Sequence, residues 1–179
     1  MTTTLGEIYL ADAIRRFRGI KQLGDGAIAQ ISDEEFFRGL DPESNSVAVI
    51  VKHVAGNMRS RWTDFLATDG EKPDRRRDLE FVIENEDRTT IMRGWDDTWE
   101  YFFNTLASLA PEELSRTVTI RHEPYTVVAA INRQLEHYAY HVGQIVFLAK
   151  HWKSSDWRSL SIPRGASDAF NANMREKHA

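Results

Sequence analysis

The sequence predicts an all-α fold, a four-helix bundle with a short extended crossover before the last long helix. Two observations lead there. Apolar residues recur at helical spacing in stretches near residues 4–23, 47–67, 88–109 and 126–151. By contrast, period-two alternation is confined to the short run Thr117-Val118-Thr119-Ile120. A chain of 179 residues is long enough to bury one substantial core, so 1–179 reads as a single domain.

The elements follow in order. Thr4-Leu5-Gly6-Glu7 fits a capping box, in which a hydroxyl caps the first turn and a glutamate three residues on reaches back. Leu5, Tyr9, Ala13, Phe17 and Ile20 then mark one face, and Gly24-Asp25-Gly26 reads as the end of that helix. Ser32-Asp33-Glu34-Glu35 is a second capping box, opening a short helical turn before Gly39, and Asp41-Pro42 reads as a turn. Asn45-Ser46 is placed to cap the next helix, expected from Val47 to about Ala67, with Val47, Val51, Val54, Met58, Trp62 and Phe65 on its inner side.

Residues 71–87 are charged, contain Pro73 and the run Arg75-Arg76-Arg77, and read as a surface loop held down by Leu79, Phe81 and Val82. The third long helix presents Ile91, Trp95, Thr98, Phe102, Thr105 and Leu109 inward, and Pro111 breaks it. Thr117–Ile120 and Tyr125–Val127, separated by Arg121-His122-Glu123-Pro124, form a small hairpin or an extended crossover. Trp157, Leu160 and Ile162 are expected to pack the tail on the bundle, with 170–179 frayed and disordered from Asn171 onward.

The chemistry gathers on the last long helix, in Gln134-Leu135-Glu136-His137-Tyr138-Ala139-Tyr140-His141. Residues four apart stand one above the other on a helix, so His137 and His141 aim two imidazoles at one spot. Neutral imidazole is a good ligand for zinc, nickel, copper and iron. Val127, Ile131, Tyr138, Val142 and Ile145 form the apolar stripe, and Ala130 and Leu148 share the histidine row, which therefore borders the core. On the second long helix His53 lies beside the apolar side, with Asn57 and Asp64 continuing its row. A histidine there needs a partner, either a hydrogen bond to another helix or a shared metal. His122 reads as surface, His151 lies too far along the helix to share the site, and His178 is in the tail.

Composition excludes several classes. A net charge of −4 with a pI near 5.9 lacks the basic face of a nonspecific nucleic-acid binder. With no cysteine there is no disulfide, no thiolate zinc site and no cysteine nucleophile. No apolar run approaches the roughly 18 residues of a membrane helix. No signal peptide is read at the N-terminus, so the expected location is cytoplasmic.

Four amphipathic segments, one extended crossover and a lone histidine upstream of a His-x-x-x-His pair resemble the DinB-like family. More narrowly, the chain is similar to a bacterial branch of that superfamily of unassigned function. The matching stretches are Ser46 to Met58, Ser60 to Leu66 through Asp69-Gly70-Glu71-Lys72-Pro73, the His137–His141 helix, and Leu160-Ser161-Ile162-Pro163-Arg164-Gly165. The resemblance implies a DinB/YfiT-like four-helix bundle and places the family's metal ligands on His53, His137 and His141. It also implies a divalent ion, zinc or nickel by ligand type, and a homodimer. Trp95, Trp99 and Phe103 add to that last expectation, because they look like surplus apolar surface.

Related members use such a metal to activate a small thiol such as bacillithiol or mycothiol, which implies a thiol S-transferase acting on small electrophiles. The alternative is a non-catalytic metal- or partner-binding bundle. Asn57, Arg61 and Asp64 are the candidate substrate-binding residues, Arg61 as a partner for a carboxylate. No catalytic residue is assigned.

Overall fold

A computed structural model describes residues 3–178 and is mostly helical, in agreement with the all-α expectation. The helices are α1 (Leu5–Ile28), α2 (Asp33–Phe37), α3 (Val47–Trp62), α4 (Arg88–Ala107), α5 (Val127–Lys153) and α6 (Ser167–Lys177). Strands β1 (Thr117–Ile120) and β2 (Glu123–Thr126) form one antiparallel hairpin between α4 and α5. α1 packs on α5 and α4, and α3 packs on α4 and α5, so the four long helices close around one core. Phe17, Met58, Trp62, Trp95, Trp99, Phe102, Tyr138 and Ile145 fill it. No helix among the described residues is long and apolar enough to cross a membrane.

Both capping boxes form. Thr4 Oγ1 accepts from the Glu7 amide at 3.2 Å while Thr4 N donates to Glu7 Oε2 at 2.6 Å, and Ser32 and Glu35 repeat the exchange at 3.2 and 2.7 Å. Ser46 caps α3 through the Val49 amide.

Several boundaries differ from the sequence reading. α1 does not stop at Gly24-Asp25-Gly26 but continues to Ile28. Those glycines serve close packing instead. A Cβ on Gly24 would lie 3.3 Å from the Trp95 ring, and one on Gly26 would lie 2.9 Å from a Leu160 methyl. Leu5, taken as inward, is 82% exposed. α3 ends at Trp62, earlier than the expected Ala67: Thr63 turns extended with ψ 125°, and Asp64 then takes a positive φ of 47°. In the tail, Trp157 and Leu160 pack against the core but Ile162 is exposed. Residues 167–177 form α6 rather than the expected disordered end, although none of its residues is buried. Trp95 and Trp99 are fully buried within the protomer. They are core, so the apolar surplus that suggested a dimer from sequence is absent at those two positions.

The two extended stretches resolve as a hairpin, with Thr117 opposite Thr126 and Ile120 opposite Glu123. Its turn residues, Arg121 (φ 56°) and His122 (φ 66°), both lie in the left-handed region that asparagine and glycine favour. Asp69 compensates. Its carboxylate accepts the amides of Arg121 and His122 at 2.8 Å each and that of Glu71 at 2.7 Å. Burial pushes the Asp69 carboxyl up, but the three amides outweigh it and hold the group well below the usual carboxylate range.

Asp69→Ala is therefore expected to cost about 2–3 kcal/mol at neutral pH, by stranding amides in a strained turn. Because the folded value is depressed, this contribution is present above the unfolded aspartate value and is lost as pH falls through the folded one. Urea midpoints of variant and parent should differ at neutral pH and converge in strong acid. Equal midpoints at neutral pH would show that the turn needs no such support.

Candidate metal centre

His53, His137 and His141 come together, with one ring nitrogen from each lying within 4.8 Å of the others. Ring centroids are 5.6 Å apart for His53 and His137, 4.9 Å for His53 and His141, and 4.7 Å for His137 and His141. The reason is local on both sides. α5 buries Val127, Ile131, Tyr138, Val142 and Ile145, which turns the histidine row to the edge of the core against α3. α3 is buried on nearly every side, so His53 is buried too. His137 and His141 are half-buried, which leaves the cluster one partly open side.

A second layer orients His53. Its Nδ1 lies 2.9 Å from Glu80 Oε2, and a carboxylate only accepts, so Nδ1 carries a hydrogen and Nε2 is the nitrogen left for a metal. Arg75 grips the same carboxylate with two parallel bonds of 2.8 Å, Nε to Oε1 and Nη2 to Oε2. Burial pushes the Glu80 carboxyl up, but the bonds from His53 and Arg75 more than offset it and hold the group below its ordinary range. Gly56 makes the approach possible, since a Cβ there would lie 2.5 Å from Glu80 Oε1. Phe81 lies against the His53 ring at 4.6 Å.

The sequence reading missed this layer. Arg75 reads from the sequence as part of a surface loop, yet its side chain is only 4% exposed. The loop is held down by Arg75 and Glu80, with Phe81 against His53, whereas Leu79 and Val82 are exposed. A signal was present: a glycine one turn after His53, in an otherwise apolar helix, marks the close approach of another segment.

His141 Nδ1 lies 3.3 Å from Gln144 Oε1, and His137 Nδ1 is buried with no hydrogen-bond partner. Burial first, then the neighbouring imidazoles, pulls His137 down to about 3, and burial with His53 nearby pulls His141 down to about 4. Both rings are neutral at pH 7, the form in which imidazole can ligate a metal.

A pH dependence follows for the metal-free protein. These folded values lie below the ordinary 6.5, so below that pH the unfolded chain takes up protons that the folded site refuses. Stability is therefore undiminished by these rings above about pH 6.5 and falls progressively toward pH 3. Chemical denaturation across that range should show a steeper loss for the parent than for His137→Gln. Parallel curves would mean that the rings are freely solvated.

Two of the other candidate residues, Asn57 and Arg61, have internal partners. Asn57 Oδ1 accepts from Gln134 Nε2 at 2.8 Å, and Gln134 also donates to the Tyr138 hydroxyl at 2.9 Å, which receives the Trp62 indole at 3.1 Å. Arg61 is buried and donates to the Gly70 carbonyl and, at 2.8 Å, to Glu71 Oε2. Asp64, read as continuing the row of His53, lies beyond the end of α3 and is exposed. His122 is exposed, as expected, and His151, also exposed, stands outside the cluster.

No curated protein and no solved structure matches the chain. A family described as "Protein of unknown function (DUF1572)" matches residues 4–166. That match takes in all four long helices, the hairpin and the three histidines, and the chain belongs to this family.

Proposed function

We propose that the chain is a divalent-metal protein that holds its ion through His53, His137 and His141, and that it is a metal-dependent thiol S-transferase acting on small electrophiles. The observation that carries the metal reading is the convergence of three imidazole nitrogens within 4.8 Å. The unpartnered buried nitrogen of His137 supports it, because coordination would satisfy a polar atom that nothing else meets. The neutral state of His137 and His141 supports it as well. Three imidazoles from two helices leave positions for water or substrate, the pattern of catalytic rather than structural sites. Zinc or nickel suits the all-nitrogen donor set.

The step to thiol transfer rests on the resemblance to the DinB-like superfamily, as do the DinB-like bundle and the homodimer. When bound, such an ion supplies the Lewis acidity that stabilises a thiolate near neutral pH. The protein's own part is preorganisation. Glu80 and Arg75 fix the His53 ring, and the chain Asn57–Gln134–Tyr138–Trp62 ties α3 to α5 so that the histidines from the two helices stay in register.

The test is metal analysis of purified protein and calorimetric titration of chelator-treated protein with zinc and nickel. A conjugation assay with small thiols and aryl halides follows. One ion per chain with metal-dependent conjugation is expected. An ion without turnover would favour the non-catalytic metal-binding bundle, and failure to bind either metal at micromolar concentration would sink both metal readings. Light scattering on the same sample tests the dimer.

A further inference from the structure

On the other side of Glu80 from His53, a cleft of about 380 Å³ opens between α3 and the loop that follows it. Its cations do not all have counter-charges. Lys52 is paired with Glu86. Arg75 is spent on Glu80 and Glu71, at 2.8 and 3.0 Å. Three others remain. Arg59 stacks over the Tyr101 ring at 4.9 Å, and Lys72 Nζ donates to the backbone carbonyl of Asp69 at 2.5 Å. Arg76 is exposed. None of these three has a carboxylate within ion-pair distance among the described residues. Asp74 is the one further acid on the wall, which leaves an excess of two positive charges.

We infer that this cleft binds a small dianion, a phosphate monoester with an apolar remainder. The charge excess matches a phosphate monoester dianion. Guanidinium groups recognise phosphate oxygens in pairs, and a lysine adds a point charge. Glu80 packed on Gly56 closes one wall, and Leu79, 47% exposed, offers apolar ground for the remainder of the ligand. Burial, with repulsion from Arg61, holds Lys72 below its ordinary value despite the pull of Asp64, Asp69 and Asp74. The arginine run thus divides its work: Arg75 faces inward to Glu80 and Arg76 lines the cleft.

Phenyl phosphate is the probe, titrated into the full chain by calorimetry and by amide chemical shifts. Inorganic phosphate tests the anion alone and benzyl alcohol the apolar part alone. Saturable one-site binding at physiological ionic strength is expected, with shifts at Gly56, Ser60 and Thr63 and weaker binding of inorganic phosphate. Lys72→Gln combined with Arg76→Gln should weaken it at least about tenfold. Arg76→Gln alone changes an exposed side chain, so it keeps the test intact should the double variant fold poorly, and it should weaken binding severalfold. Zinc affinity should be unchanged in either variant, which separates this site from the histidine cluster. The inference is overturned if binding does not saturate at millimolar phenyl phosphate, if it disappears at physiological salt as diffuse attraction would, or if Arg76→Gln binds as tightly as the parent.

Discussion

Replacing His141 with Ala is expected to lower zinc or nickel affinity by about a hundredfold or more while leaving the fold in place. Two imidazoles in place of three cannot hold the ion in the same open arrangement. The fold should tolerate the change for two reasons. Ala is the strongest helix former, so α5 keeps its propensity. The parent ring is half-buried and held neutral at about 4, so its removal also relieves a desolvated polar group next to His53 and His137. Far-ultraviolet circular dichroism should be unchanged, and the metal-free variant should lose less stability than the parent on acidification. His151→Ala is the matched control, since it lies on the same helix but is exposed. If His141→Ala binds zinc as tightly as His151→Ala, the histidine cluster is not a metal site.

Much of this arrangement was readable in the sequence, and what was not has a consistent cause. The stripe on α5 was legible because burial there follows helical period; on α3 the residues assigned inward, Val47, Val51, Val54, Met58 and Trp62, are buried, but so is nearly every other side of that helix. The i, i+4 pair and the position of His53 beside an apolar face were legible for the same reason. Errors arose where a local signal had a tertiary use. Gly24 and Gly26 look like a helix stop, yet they admit Trp95 and Leu160 to the side of a continuing helix. Trp95 and Trp99 look like interface surplus, yet four helices closing on one core need large side chains at their centre. Arg75 and Glu80 sit in a loop with no period at all. Nothing in their spacing says that they will be carried to His53, because the placement comes from how the loop folds back on α3.

That buried layer yields the second large effect. Glu80→Ala should destabilise the protein by about 3 kcal/mol, because it leaves the Arg75 guanidinium buried with only Glu71 as partner and strips His53 Nδ1 of its acceptor. Metal affinity should fall about 10–100-fold, since nothing then fixes the His53 tautomer or ring. Glu80→Gln keeps the shape and one acceptor but loses the charge, so both losses should be smaller. Gly56→Ala separates orientation from charge. It removes no ligand and no ion pair, and by helix propensity alone it should stabilise α3 by about 1 kcal/mol. The new methyl, however, would lie 2.5 Å from Glu80 Oε1, so the carboxylate must move away from His53. The expected result is lower stability together with weaker zinc binding, read by urea denaturation and calorimetry on the same samples. If Gly56→Ala gains stability and binds zinc as the parent does, Glu80 does not position His53.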